Sequence, residues 1–194
     1  MIKAIIFDFF GVLITDGLTA IVSGLRKTDR SKADRIVKLV LAASKGVMDA
    51  GDSRKAVATE LGLTVEAYKE LIKSSETKNV PLLAYIKKLR QNYRTAILSN
   101  VISGGLEARF PHKQLNEYFD VIIASGDVGY IKPEKEIYNT CAQKLRVKNE
   151  ECVFIDDISK YCEAARAVGM QAIEYRDFEQ LKRELTSLLA DSNN

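Results

Sequence analysis

Tryptophan is absent from this chain of 194 residues, histidine occurs once, and cysteine and proline occur three times each. Glycine is also sparse, at 11 residues. With 46% hydrophobic and 28% charged residues beside so little Gly and Pro, collagen-like, low-complexity and disordered classes are excluded. What remains is a globular chain of about one domain, with room for an insertion. Cys141, Cys152 and Cys162 are odd in number, and no two have the C-x-x-C spacing of a zinc or redox site. They fit a reducing, cytoplasmic setting. No charge of one sign dominates: 29 Lys+Arg against 26 Asp+Glu give +3, too mild a surplus for a nucleic-acid partner. No apolar run approaches the ~20 residues that span a bilayer, so no membrane partner is expected. Asp8 interrupts the apolar start and no small-residue cleavage site follows, which argues against a signal peptide.

Five short runs rich in Ile, Val and Phe are present: Ala4–Phe7, Thr95–Leu98, Val121–Ala124, Cys152–Ile155 and Gln171–Glu174. Most do not alternate, which predicts strands buried on both faces. Helical patterns separate the later ones. Pro81 opens a helix with Leu82, Leu83, Ile86 and Leu89 inward, and Pro133 is read as opening another with Ile137, Cys141 and Leu145 inward. Residues 158–168 form a helix stopped by Gly169, and Asp177 caps a last helix through Leu189. This alternation predicts an α/β fold with a three-layer, Rossmann-like parallel sheet core.

Residues 16–80 break the pattern, with helical stripes and no convincing strand. Leu18, Ile21, Val22 and Leu25 form one stripe; Ala33, Ile36, Val37, Val40, Leu41 and Val47 form another. Ser53 and Thr64 are expected N-caps of two further helices, with Gly62 ending the first. The expected organisation is a core of residues 1–15 and 81–194 interrupted by an inserted α-helical cap over 16–80, lying across the carboxyl ends of the strands. The basic run Arg26, Lys27, Arg30, Lys32, Arg35 and Lys38, interleaved with Asp29 and Asp34, reads as a solvated helix face. Tyr118, Phe119, Tyr130 and Tyr138 are expected to pack core helices and loops, and His112 to lie at the surface.

Ligands of open parallel sheets bind beyond the carboxyl ends of the strands. There the first run delivers Asp8, the second Ser99 and Asn100, the fourth Asp156 and Asp157, and the loop after the third carries Lys132. Carboxylates beside a lysine suit a hard divalent cation and a phosphate, the ammonium offsetting phosphate charge that the metal leaves uncompensated.

Phe7-Asp8-Phe9-Phe10-Gly11-Val12-Leu13, Leu98-Ser99-Asn100, Ile131-Lys132-Pro133 with Ile137-Tyr138, and Val153-Phe154-Ile155-Asp156-Asp157 resemble, in order, the four motifs of the haloacid dehalogenase (HAD) superfamily. The resemblance covers roughly residues 1–15 and 81–177, and the insertion falls where one subclass places a helical cap. It implies a hydrolase, chiefly a Mg²⁺-dependent phosphatase of small phosphorylated metabolites, working through an aspartyl-phosphate. By it Asp8 is the nucleophile and a metal ligand, Asp157 and the Phe10 carbonyl complete the protein ligands, and Asp156 stands behind them. Ser99 and Asn100 hold phosphoryl oxygens, and Lys132 bridges phosphate and nucleophile.

One position departs from that pattern. The family's phosphatases generally carry a second Asp two residues after the nucleophile, where this chain has Phe10, and phenylalanine transfers no proton. Three alternatives follow: a phosphatase for good leaving groups or with a proton from elsewhere, such as Asp16; a dehalogenase or phosphonatase-like hydrolase; or a weakly active relative that binds a metabolite or protein partner. Asp156 and Asp157 as a carboxylate pair weigh against the dehalogenase.

Overall fold

The structure is a computed structural model that describes residues 1–191, without the side chains of His112 and Asp191. The expected surface position of the His112 side chain therefore lies outside the described residues. Strand β1 (Ala4–Phe7) is followed by α1 (Gly17–Thr28), α2 (Arg30–Ser44), α3 (Ala50–Leu61) and α4 (Val65–Ser75), then α5 (Val80–Leu89) and β2 (Arg94–Ser99). The chain continues through α6 (His112–Tyr118), β3 (Val121–Ala124), the single turn α7 (Ser125–Val128), α8 (Lys135–Leu145), β4 (Cys152–Asp156), α9 (Ser159–Ala167), β5 (Gln171–Glu174) and α10 (Phe178–Asp191).

All five expected strands pair in parallel, in the order β3-β2-β1-β4-β5. The central strand shows why its sequence does not alternate. Side chains of a strand point to opposite faces in turn. Ile5 and Phe7 join α5, α6 and α10 in one cluster, whereas Ala4 and Ile6 join α8 and α9 in another. Both faces are covered, so every position must be apolar, and all four residues are fully buried. This is the Rossmann-like, three-layer α/β fold. Among the described residues no helix is long and apolar enough to cross a membrane.

Helix signals held where a side chain could reach the first turn. Asn79 caps α5, with Pro81 inside its first turn, and Asp177 Oδ1 accepts from Gln180 N at 2.8 Å to cap α10. Thr64 caps α4 as expected. Ser53 does not cap α3. Asp49 accepts from Gly51 N and Asp52 N at 2.7 and 3.1 Å and starts that helix earlier, leaving Ser53 to donate to Leu39 O of α2. Nor does Pro133 open α8: Glu134 keeps an extended backbone and turns its N–H back to Ile131 O at 2.7 Å, so the helix begins at Lys135. Val47 falls beyond α2 and is 76% exposed, and Tyr130 is exposed rather than part of the core.

Helices α1–α4 bury an apolar cluster of their own around Val22, Ala33, Ile36 and Val57. They also touch the strand ends. Ser125 Oγ donates to Ser44 O at 2.6 Å, Lys45 pairs with Glu134, and Arg109 pairs with Glu76 through Nη2 and Oε1 at 2.6 Å. The chain enters and leaves these helices side by side: Thr15 N donates to Thr77 O at 3.0 Å, Thr77 N to Thr15 Oγ at 2.7 Å, and Ile14 bridges Lys78.

Candidate active site

The chain order reverses between β1 and β4, which places a crevice beyond their carboxyl ends. Asp8 N donates to Ile155 O at 2.8 Å, fixing the residue after β1 beside the end of β4. The carboxylates of Asp8, Asp156 and Asp157 each offer an oxygen, and these atoms lie within 4.8 Å of one another. Lys132 Nζ sits 2.8 Å from Asp8 Oδ1 and 2.5 Å from Asp156 Oδ2, over the rings of Phe154 and Tyr161. Lys132 is 2% exposed and Asp156 0%.

The loop bearing this lysine is held by Asn100. Lys132 N donates to Asn100 Oδ1 at 2.7 Å, and Asn100 Nδ2 donates to Lys132 O at 3.0 Å. The amide expected to face a phosphoryl group is thus engaged with the lysine main chain, and also reaches Tyr161 Oη at 3.3 Å. Asp156 is likewise satisfied, because its other oxygen accepts from Ile158 N at 2.9 Å. Ser99 Oγ and Asp157 Oδ1 are different: both are buried and lack a partner among the described residues. Buried polar atoms in folded proteins are rarely left so, and these two stand ready for a ligand.

Electrostatics agree with that geometry. Burial raises Asp8 above the ordinary carboxylate range, Lys132 pulls it back, and Asp156 and Asp157 raise it again. Burial, followed by the neighbouring Asp156, lifts Asp157 to about 6. Burial alone would lower Lys132, but Asp156 and Asp8 outweigh it and hold the ammonium above an ordinary lysine. Three carboxylates against one ammonium leave two uncompensated negative charges when all are ionised. A hard divalent cation would neutralise them, and the donors are the oxygens such an ion takes. The Phe10 carbonyl accepts no hydrogen bond among the described residues and is a further free oxygen.

The turn after Asp8 needs its glycine. Gly11 has φ +86°, and a Cβ there would lie 2.3 Å from Asp157 Oδ2, so any side chain would displace that carboxylate. Phe10 meets Phe9 edge-on at 5.0 Å between centroids, with the Arg109 guanidinium 4.9 Å from its own ring centre. Phe10 and Asn100 open into a cavity of about 460 Å³, roofed by apolar residues of α1–α4 such as Leu18, Val40, Val57 and Ile72. None of the basic run over residues 26–38 lines it; Arg35 instead pairs with Glu60 at 2.9 Å. Arg54, Tyr68, Glu76 and Arg109 do line it, and sequence reading missed them. They belong to helix or loop segments with no motif, and only the fold brings them to the strand ends.

Sheet and site together define a Rossmann-like α/β protein with an acidic, lysine-braced centre at a topological switch point. The family model of haloacid dehalogenase-like hydrolases matches residues 2–169, and the chain belongs to that family. It is 28% identical to a D-ribitol-5-phosphate phosphatase of Bacteroides thetaiotaomicron, over 97% of this chain and 99% of that one. A fructose-1-phosphate phosphatase of Escherichia coli is 31% identical over 57% of this chain and 58% of its own length. Among solved structures, a HAD-family enzyme of Bacteroides thetaiotaomicron, crystallised with magnesium and inorganic phosphate, superposes with a TM-score of 0.73 at 21% identity, covering 93% of this chain and 99% of that one.

Proposed function

We propose that this chain is a phosphatase of a small phosphorylated metabolite, that Mg²⁺ is its cofactor, and that Asp8 is its nucleophile. The observation that carries the reading is the buried cluster of three carboxylates with one lysine, flanked by two buried oxygens that have no partner. The names of two relatives support the reaction class, and the magnesium and phosphate bound to one structural neighbour support the ligands.

Asp8, the Phe10 carbonyl and Asp157 would hold Mg²⁺, which when bound offsets the charge of the phosphoryl group. A carboxylate oxygen of Asp8 attacks phosphorus as the bond to the leaving oxygen breaks, forming an aspartyl-phosphate that water then hydrolyses. Lys132 draws the phosphate towards Asp8 and screens one anion from the other. Ser99 donates its unpartnered hydroxyl to a phosphoryl oxygen, and Asn100 keeps the lysine loop in place. The inserted helices over 16–80 act as the cap that shapes the rest of the substrate site. With Phe10 where the family's phosphatases generally carry a proton donor, the leaving group departs with a proton from another group or from water, which favours aryl and acyl phosphates.

A turnover screen with and without Mg²⁺ tests this across aryl, acyl and alkyl phosphates, phosphonates and haloacids, with the named substrates of the two relatives included. The expected result is Mg²⁺-dependent release of phosphate, strongest for aryl and acyl esters. Asp8→Asn should lower it by orders of magnitude with the fold intact. Halide release without metal would instead establish the dehalogenase alternative.

A further inference from the structure

The cavity that opens beside Phe10 and Asn100 carries a charge imbalance that phosphate chemistry does not use. Two acids line it, and both are committed. Glu76 takes Arg109 on both oxygens at 2.8 and 2.9 Å, while Asp16 accepts from Leu18 N, Thr19 N and Thr19 Oγ at 3.0, 3.1 and 2.5 Å. Three cations on the same wall are not. The side chains of Arg54, Lys69 and Lys73 make no ion pair or hydrogen bond among the described residues. Lys69 and Lys73 lie at the exposed rim, where water serves them, but Arg54 is half-buried beside Val57 and Tyr68. An unpaired guanidinium that lines a cavity is placed to take an anion there, and its planar fork suits a carboxylate or a phosphate. At about 460 Å³ the cavity admits far more than a phosphoryl group, and its apolar stretch suits a carbon skeleton.

Resting on the phosphatase reading, we propose that the substrate is a phosphomonoester with a second anionic group, a carboxylate or another phosphate, at the end remote from the transferred phosphoryl. Arg54 is the residue that selects it. The uncharged middle of the molecule lies along Leu18, Val40 and Ile72.

Paired substrates isolate the second charge. In kcat/KM the enzyme should prefer para-carboxyphenyl phosphate over its neutral isostere para-carbamoylphenyl phosphate, and propanediol bisphosphate over propyl phosphate; the two pairs separate a carboxylate from a phosphate. A charge-assisted hydrogen bond amounts to roughly ten- to hundredfold, and Arg54→Met should erase that much of each preference while Arg54→Lys keeps most of it. Equal rates within both pairs would overturn the proposal and leave the phosphatase reading standing. Titration calorimetry of Asp8→Asn with propanediol bisphosphate and propyl phosphate gives an answer without turnover. Tighter binding of the bisphosphate that is lost in Asp8→Asn/Arg54→Met supports Arg54 even if no phosphate ester is hydrolysed, an outcome that would sink only the phosphatase reading. Equal affinities overturn the proposal.

Discussion

In the proposed phosphatase Phe10 is the residue on which the chemistry turns, and its surroundings limit what a substitution can restore. A well-aligned general acid contributes about 10²- to 10⁴-fold. Phe10→Asp would put a carboxylate near the Arg109 guanidinium, now 4.9 Å from the ring centre, and that cation would keep it ionised when it should be protonated. The expected gain in alkyl over aryl phosphate turnover is therefore below about tenfold, well short of a well-aligned acid. Adding Arg109→Met should raise it further, at the expense of the Glu76 contact. Steady-state kinetics on matched alkyl and aryl esters decide it; a full gain from Phe10→Asp alone would mean that Arg109 does not set the carboxyl's state.

Asn79 ties three elements together at the base of the crevice. It caps α5 through Leu82 N, and its Nδ2 donates to Val12 O at 3.0 Å and Tyr175 Oη at 2.7 Å. Losing a cap and two hydrogen bonds, Asn79→Ala should cost about 2 kcal/mol, read from the urea midpoint. Asn79→Asp keeps the acceptor and loses the donors, so it should fall between. The strands were legible because burial on both faces demands unbroken Ile, Val and Phe. The carboxylates and Lys132 were legible for a related reason: Asp8, Asp156 and Asp157 stand at or just past the ends of β1 and β4, and Lys132 lies in the connection between β3 and α8. Capping was less so. Asp49 and Ser53 both qualify by type, and only the path of α3 decides between them. The partnership of Asn100 with the Lys132 main chain could not be read at all, because it joins loops 32 residues apart through backbone atoms that carry no sequence signal. Arg109 and Glu76 are hidden because no motif marks either, and only the fold brings their side chains together.

Across the whole molecule, the carboxylate cluster links stability to pH. Asp157 is lifted to about 6 from an ordinary 3.8, so at intermediate pH the folded chain holds a proton that the unfolded chain has released. Its contribution is full below the unfolded value, falls as pH rises through that window and is gone above it; the raised Asp8 extends the decline upward. Mg²⁺ acts in the opposite sense, because it binds the deprotonated carboxylates. Its shift of the melting temperature should be small at pH ~5 and larger at pH ~8, and a shift independent of pH in thermal unfolding would remove Asp157 from the ligand set. The crossing of Thr15 and Thr77 has a different reach. Since the polypeptide departs from the sheet and rejoins it at one spot, the intervening helices behave as a cassette. Any segment whose two ends arrive together could be seated there without altering the path of a single strand. On the proposed function, the roof over the site can change while the carboxylates beneath it keep their places.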